Sequence, residues 1–383
     1  MSASTPLPEY SPDGFVNRER EIDMVRNRLE ALLDRRLVDK RTFIFTGQHG
    51  IGKSWFLLHL RHELEKLRSV KVQYVNLAVY IQEPSSEAAV VQICAALAKA
   101  LLPKITIPHT GPEAAANFLI NEIRKQILSD HVLVILLDTV YEAPPALLGV
   151  LEVHLLGSLA IEQKVLMVLA GRGREYAWTT PELRLYADFD RLDLFTEAAT
   201  AQQLYYHIQT MFPRAAEIYD ISRGNPKTTL LLAASNDPLA VLDLVIGEML
   251  PAVAPKEQHL MREHLEALAI VRRFDYGHLP YLLSTYYADP ALEKLPRRDL
   301  RLILDRLLEP GLIYWNTEQL AYTLHAAMRN LLLHYMRHAQ PELWRRLHER
   351  CIVLYQGWVD ARPRNWKQWR DELEYHIQEL STK

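Results

Sequence analysis

The sequence predicts an α/β domain built on a parallel sheet with helices on both faces. A small helical domain, a winged-helix domain and C-terminal helices are expected to follow. Three observations predict this. Across residues 15–194, short and nearly continuous apolar runs alternate with amphipathic helical segments, the pattern of a sheet covered on both sides. After Leu194 the helical patterns follow one another with no strand between them. Around Pro310-Gly311 a helix stops, two short β-favouring runs form a hairpin, and another helix begins.

The elements can be justified in order. Residues 1–14 are rich in Pro and Ser and read as a lead segment. In "NREREIDMVRNRLEALLDRR", Ile22, Met24, Val25, Leu29, Leu32 and Leu33 recur at helical spacing. "TFIFT" is a short strand ending in Gly47, and residues 53–67 form a helix. "VKVQYVNL" is the second strand. "SSEAAVVQICAALAKALL" is a helix capped by Ser85 or Ser86, and "GPEAAANFLINEIRKQIL" is another. "HVLVILLD" is a wholly apolar strand closed by Asp138. "APPALLGVLEVHLLGSLA" tolerates its prolines in a first helical turn. "KVLMVLAGRG" is the fourth strand, and "DFDRLDL" the last. The helical domain is expected over 195–250, with a boundary at "LPAVAPKEQ". The winged-helix domain is expected over 256–340, and helices over 341–383. Trp344, Trp358, Trp366 and Trp369 read as packing between those last helices.

Bulk properties narrow the function classes. The chain has 383 residues and a formal net charge of −3, so no global field draws it to nucleic acid or an anionic membrane. Cys94 and Cys351 sit in apolar helical patterns, which predicts buried free thiols in a reducing compartment. There is no secretion-signal pattern and no apolar run of membrane-spanning length, so a cytoplasmic protein is expected.

The chemistry is concentrated in "FIFTGQHGIGKSWFLLHL". Gly47, Gly52, Lys53 and Ser54 fit G-x-x-x-x-G-K-[ST] between an apolar strand and a helix. The glycines let successive N–H groups converge on one anion, and the helix N-terminus adds its positive dipole. Lys53 is expected to reach the β- and γ-phosphates of ATP or ADP, with Gly47, Gly50, Ile51, Gly52, Lys53, Ser54 and Trp55 as the nucleotide-contacting set. Ser54 and Asp138 are the expected Mg²⁺ residues. Many ATPases of this kind follow that Asp with a water-orienting Glu, but this chain has Thr139. Glu142 is the candidate substitute, with a solvated Glu at a helix start as its rival. Nucleotide binding is therefore expected, with hydrolysis weak and slow.

Several separate stretches then converge. "FVNREREI", "GQHGIGKS", "RGNP" and "YTLHAAMRNLL" resemble, in order and spacing, motifs of the STAND ATPases (signal transduction ATPases with numerous domains), a class of P-loop proteins related to the AAA+ ATPases. The resemblance covers about residues 15–340. It implies that Asn17 and Arg18 lie against the adenine or ribose, and that Arg172 is a sensor for the γ-phosphate, with Arg174 as a competitor. It implies that Pro226 packs on the adenine from a helical lid and that His325 touches the β-phosphate in a closed ADP state. The chain departs from the pattern at Asn17 in place of Gly, at Thr139, and at "HAAM", which lacks an Asp after the His. The implied function is a nucleotide-dependent switch that assembles with itself or with protein partners, without a membrane. The segment after the winged helix resembles the start of a helical-repeat sensor.

The alternative resemblance is to the origin-recognition branch of the AAA+ ATPases, which also joins a P-loop domain, a helical lid and a winged helix that binds DNA. Near-neutral charge and Thr139 favour the switch over that alternative. Arg297-Arg298 and Arg345-Arg346 read as solvated helix faces.

Overall fold

β-branched and aromatic residues with no polar interruption make residues Thr42–Thr46 the first strand (β1) of a five-stranded sheet in the computed structural model. The structure describes residues 8–108, 110–172, 176–235, 237–249, 255–361 and 366–381. These form two compact units, divided between Phe195 and Thr196.

In the first unit β1 is preceded by helix α1 (Glu19–Leu33) and followed by α2 (Lys53–Leu64), β2 (Val70–Asn76), α3 (Ser86–Leu101) and α4 (Pro112–Gln126). Then come β3 (Val132–Asp138), α5 (Pro145–Leu151), α6 (Gly157–Ala160), β4 (Val165–Gly171), α7 (Pro181–Arg184) and β5 (Ala187–Arg191). The strand order is β2-β3-β4-β1-β5, and every pairing is parallel. Every residue of β3 and β4 is buried, which is why both strands read as unbroken apolar runs. One face packs α3, α4 and α5 through Ile93, Leu119, Leu151 and their neighbours. The other face packs α1 and α2 through Leu29, Phe56 and Leu60.

This topology decides where the site lies. β4 sits between β1 and β3, so the C-terminal ends of all three open on one edge of the sheet. That edge carries Gly47 after β1, Asp138 at the end of β3 and Arg172 after β4. Close packing there is enforced by Gly171. A Cβ at Gly171 would meet the Tyr141 backbone nitrogen at 2.5 Å and its Cδ2 at 2.8 Å. Gly171→Ala is expected to cost about 1–3 kcal/mol in urea unfolding and to push the 140–142 turn off the sheet edge.

Several local expectations are refined. Ser85, rather than Ser86, caps α3, its Oγ accepting from the Ala88 N–H at 3.1 Å. The helix expected across residues 143–160 contains a π-helical turn, Glu152–Leu156. Glu152 is fully buried there, and its Oε1 accepts from the Thr179 and Thr180 N–H groups at 2.6 Å each. A buried carboxylate in the helix thus anchors the segment leading to α7. The lead segment docks on α2 through Tyr10, and Phe15, just after it, stacks on His59 of α2 at 4.0 Å. Residues 1–7 and most of the proline boundary (250–254) lie outside the described residues.

The second unit comprises α8 (Glu197–His207), α9 (Ala215–Ser222), α10 (Pro226–Ser235), α11 (Pro238–Met249), α12 (Pro255–Ala269), α13 (His278–Tyr287) and α14 (Arg297–Leu308). A hairpin of β6 (Ile313–Asn316) and β7 (Ala321–Leu324) follows, then α15 (Ala326–Ala339), α16 (Pro341–Asp360) and α17 (Trp366–Ser381). Phe274 adds an antiparallel bridge to Tyr322, so the hairpin has a third short neighbour. This helix–hairpin–helix succession is the arrangement expected of a winged helix. One continuous apolar cluster runs from Leu204 to Leu373, joining the helices before the hairpin to those after it. Cys94 and Cys351 are both buried free thiols.

The last helices hold a pair of buried imidazoles. His376 Nδ1 lies 2.8 Å from His348 Nδ1, beside Tyr355. One ring must donate and the other accept, so the accepting ring is neutral. Burial, with nearby Arg329, holds His348 down to about 3. Burial, then His348 and Arg329, holds His376 down to about 2. The unfolded chain titrates these groups near the ordinary value of about 6.5, so it binds protons that the fold refuses. Their contribution to stability is therefore full above about pH 6.5 and declines as pH falls below it. The loss of urea stability between pH 7 and pH 5 is expected to shrink in a His376→Gln variant.

Candidate nucleotide-binding site

The loop between β1 and α2 has the backbone its glycines require. Gly50 and Gly52 have φ of 75° and 95°, in the left-handed region where a side chain is strained. Gly47 allows close approach, since a Cβ there would meet Ile51 Cγ2 at 2.9 Å. α2 starts at Lys53 and directs its N-terminal N–H groups into the loop. Lys53 is buried, and its ammonium donates to the Gly47 carbonyl at 2.7 Å and the Gln48 carbonyl at 3.0 Å. Burial pushes its pKa down to about 8, against the attraction of Glu142 and Asp138, while Arg172 adds to the depression. Lys53, Asp138, Glu142 and Arg172 thus act on one another within a single electrostatic neighbourhood.

Asp138 is held in two directions. Its Oδ2 accepts from the Tyr74 hydroxyl at 2.8 Å, and its Oδ1 from the Thr139 N–H at 2.8 Å. The Tyr74 hydroxyl is correspondingly pushed up, by burial first and by the Asp138 charge second. Tyr74 was missed by sequence reasoning, because its place beside Asp138 comes from the pairing of β2 with β3.

Thr139 is turned away from the loop. Its φ of 57° is a left-handed conformation that costs a β-branched residue about 1–3 kcal/mol. Its Oγ1 lies 2.6 Å from Asn76 Oδ1 and accepts from the Ala78 N–H at 3.0 Å. The chain then makes a short 3-10 turn, Val140–Glu142, that brings Glu142 back. Glu142 Oε2 accepts from the Arg172 backbone N–H at 3.1 Å, and Oε1 lies 3.3 Å from Arg172 Nε. Glu142 is 20% exposed along its side chain, so it is not the solvated helix-start Glu of the rival expectation. Burial raises its pKa, opposed by Lys53 and Arg172.

Arg172 makes a further contact, Nη1 to His49 Nδ1 at 2.9 Å. Arg174, the competing sensor candidate, lies outside the described residues. Asn17 and Arg18 both adopt left-handed backbone conformations at the entry to α1. The Arg18 guanidinium is buried, donates to the Ile51 carbonyl at 2.9 Å and lies 5.0 Å from the Phe195 ring centroid. It therefore braces the phosphate loop from behind, a role that the motif alone did not suggest. Trp55 packs edge-on against Tyr10 of the lead segment.

Pro226 and His325 belong to the second unit. Arg223 and Gly224 end α9 in left-handed conformations, Asn225 Oδ1 caps the Thr228 N–H at 3.0 Å, and Pro226 occupies the first position of α10. "RGNP" is thus accounted for locally as a helix stop followed by a helix start. His325 precedes α15 and stacks on Tyr314 of the hairpin at 4.8 Å.

The donor set fits a magnesium–nucleotide complex. A left-handed Gly-rich loop, a buried ammonium, the Ser54 hydroxyl in the first turn of α2 and the buried Asp138 carboxylate all open on the same sheet edge. No helix among the described residues is long and apolar enough to cross a membrane.

No protein-family model matches the chain, and no curated protein matches it in sequence. Solved structures do match. The Aeropyrum pernix ORC2 protein, determined in ADPNP–ADP complexes, aligns with a TM-score of 0.51 at 13% identity, covering 88% of this chain and 98% of that one. Cdc6p from Pyrobaculum aerophilum aligns at TM-score 0.45 and 15% identity, covering 88% and 100% of the two chains. The Thermotoga maritima RuvB Holliday junction branch migration motor aligns at 0.41 and 16%, covering 83% and 95%. Identity this low speaks for the fold. The fold, a parallel five-stranded sheet with helices on both faces followed by a helical region that carries a β-hairpin, is similar to that of ORC2 along nearly its whole length.

Proposed function

We propose that the protein binds ATP or ADP with Mg²⁺ at the 47–54 loop and hydrolyses ATP slowly, with Glu142 as the water-orienting base. The observation that carries this reading is the return of Glu142 to the loop edge, paired with Arg172 and within the field of Lys53. Lys53 would exchange its two loop carbonyls for phosphate oxygens. Ser54 and Asp138 would hold Mg²⁺, whose chemistry is to neutralise phosphate charge. Tyr74 orients the Asp138 carboxylate for that task. Arg172 would act as the γ-phosphate sensor, and its pairing with Glu142 would couple the base to the third phosphate. Contacts of Asn17 and Trp55 with the nucleotide, of Pro226 with the adenine and of His325 with the β-phosphate belong to the same proposal.

Two outputs are compatible with such a site. One is the STAND-type switch, in which nucleotide exchange permits assembly with protein partners or with further copies. The other is an origin-recognition-like protein that engages DNA, and the likeness to ORC2 along 88% of the chain favours it. A local feature supports it too. α14, just before the hairpin, exposes Arg297, Arg298, Arg301 and Arg306, and the hairpin exposes Trp315. That places basic and aromatic groups next to each other despite the near-neutral whole. The test is duplex-DNA binding by fluorescence anisotropy across a salt series, with ADP or a non-hydrolysable ATP analogue, beside native mass under the same conditions. Salt-sensitive binding that weakens in Arg298→Ala/Arg301→Ala supports the DNA output. No binding, with the analogue raising the native mass, supports the switch.

A further inference from the structure

We propose that His49, inside the phosphate loop, is a positioning residue that holds Arg172 at the γ-phosphate position, an inference that rests on the nucleotide reading above. A guanidinium can only donate, so the 2.9 Å contact from Arg172 Nη1 requires His49 Nδ1 to be an acceptor. The imidazole is therefore neutral and carries its proton on Nε2. Arg172 is thereby engaged through two of its three guanidinium nitrogens. Nη1 is held by the loop through His49, and Nε faces Glu142 at 3.3 Å. Its backbone N–H is fixed as well, by Glu142 at 3.1 Å.

An arginine emerging from a strand end has several rotatable bonds and much rotamer entropy to lose on ordering. His49 removes part of that loss before the ligand arrives, and it does so from the loop that itself cradles the phosphates. The partner of Arg172 on this side is thus attached to the phosphate site and moves with it. On the nucleotide reading, ADP lacks the phosphate that Arg172 would meet, so the effect is expected to be specific to the third phosphate. An acceptor is what the position demands: a side chain that only donates, such as Lys, would repel Arg172.

The experiment compares affinities for ADP and for a non-hydrolysable ATP analogue by calorimetry, using the full chain stripped of nucleotide. The wild type is expected to prefer the analogue. His49→Ala is expected to lower analogue affinity about tenfold while leaving ADP within about twofold. His49→Asn, which keeps an acceptor near the same place, is expected to restore most of the preference. In an Arg172→Ala background, His49→Ala is expected to have no further effect, because the two residues act as one unit. Equal losses for ADP and analogue, an unaltered preference in His49→Ala, an Asn variant no better than Ala, or additive losses in the double variant would each overturn the inference. A wild type that binds ADP but has no preference for the analogue also overturns it and leaves nucleotide binding intact. A wild type that binds neither defeats the nucleotide reading first, and this inference with it.

Discussion

Replacing Lys53 with alanine is expected to lower affinity for ADP and ATP by about 10- to 100-fold. The range corresponds to one charge-assisted hydrogen bond to phosphate, roughly 1.5–3 kcal/mol. The fold is expected to survive and to gain slightly in stability, because Lys53 is buried in the loop with its pKa pushed down to about 8. The same depression gives a pH signature. Below pH 8 the ammonium is charged and nucleotide binding is at full strength. Above pH 8 the free protein loses that proton, so binding must take it back and affinity declines as pH rises. Calorimetry at pH 8.5 in buffers of different ionisation enthalpy should register proton uptake in the wild type and lose it in Lys53→Ala. An unchanged affinity in the variant would mean that the loop does not hold the phosphates.

Glu142→Gln is expected to slow ATP hydrolysis by about 10²–10⁴-fold while ATP affinity is retained, the effect of removing a general base that does not bind the ground state. Glu142 reaches the loop edge only because Thr139 takes a left-handed turn and Gly171 lets the Tyr141 backbone pass at close quarters. Gly171→Ala should therefore reproduce part of the Glu142→Gln defect with the carboxylate still present. Single-turnover hydrolysis separates this from product release. Equal turnover in wild type and Glu142→Gln would assign the chemistry elsewhere.

The alternation of apolar strands with helices was legible because both faces of β3 and β4 are covered, leaving no polar residue within them until Asp138. The loop was legible because its glycines, Lys53 and Ser54 fall at fixed spacing between an apolar strand and a helix, and the positive φ of Gly50 and Gly52 is what glycine permits. Strand order was not. That β4 lies between β1 and β3, which brings Arg172 beside the loop, depends on long-range pairing that no local pattern encodes. Tyr74 and His49 escaped notice for the same reason: each acts through a partner more than 60 residues away. The burial of Glu142 against Arg172 was not legible, since it follows from the left-handed Thr139, and a β-branched residue gives no advance signal of that conformation. Arg18 was placed by the nucleotide through resemblance alone, and its hydrogen bond to the Ile51 carbonyl, 33 residues away, has no local signal in the sequence. The His348–His376 pair joins two helices across 28 positions and carries no sequence signature at all.

The central claim is that the 47–54 loop holds the phosphates of an adenine nucleotide with Mg²⁺. Its most direct test is titration of ADP and a non-hydrolysable ATP analogue into nucleotide-stripped protein, with and without Mg²⁺. Saturable binding of both is expected at about micromolar or lower concentrations, weakened by chelation and by Lys53→Ala. Absence of binding to either nucleotide at about 1 mM, in protein shown to be folded, would contradict it.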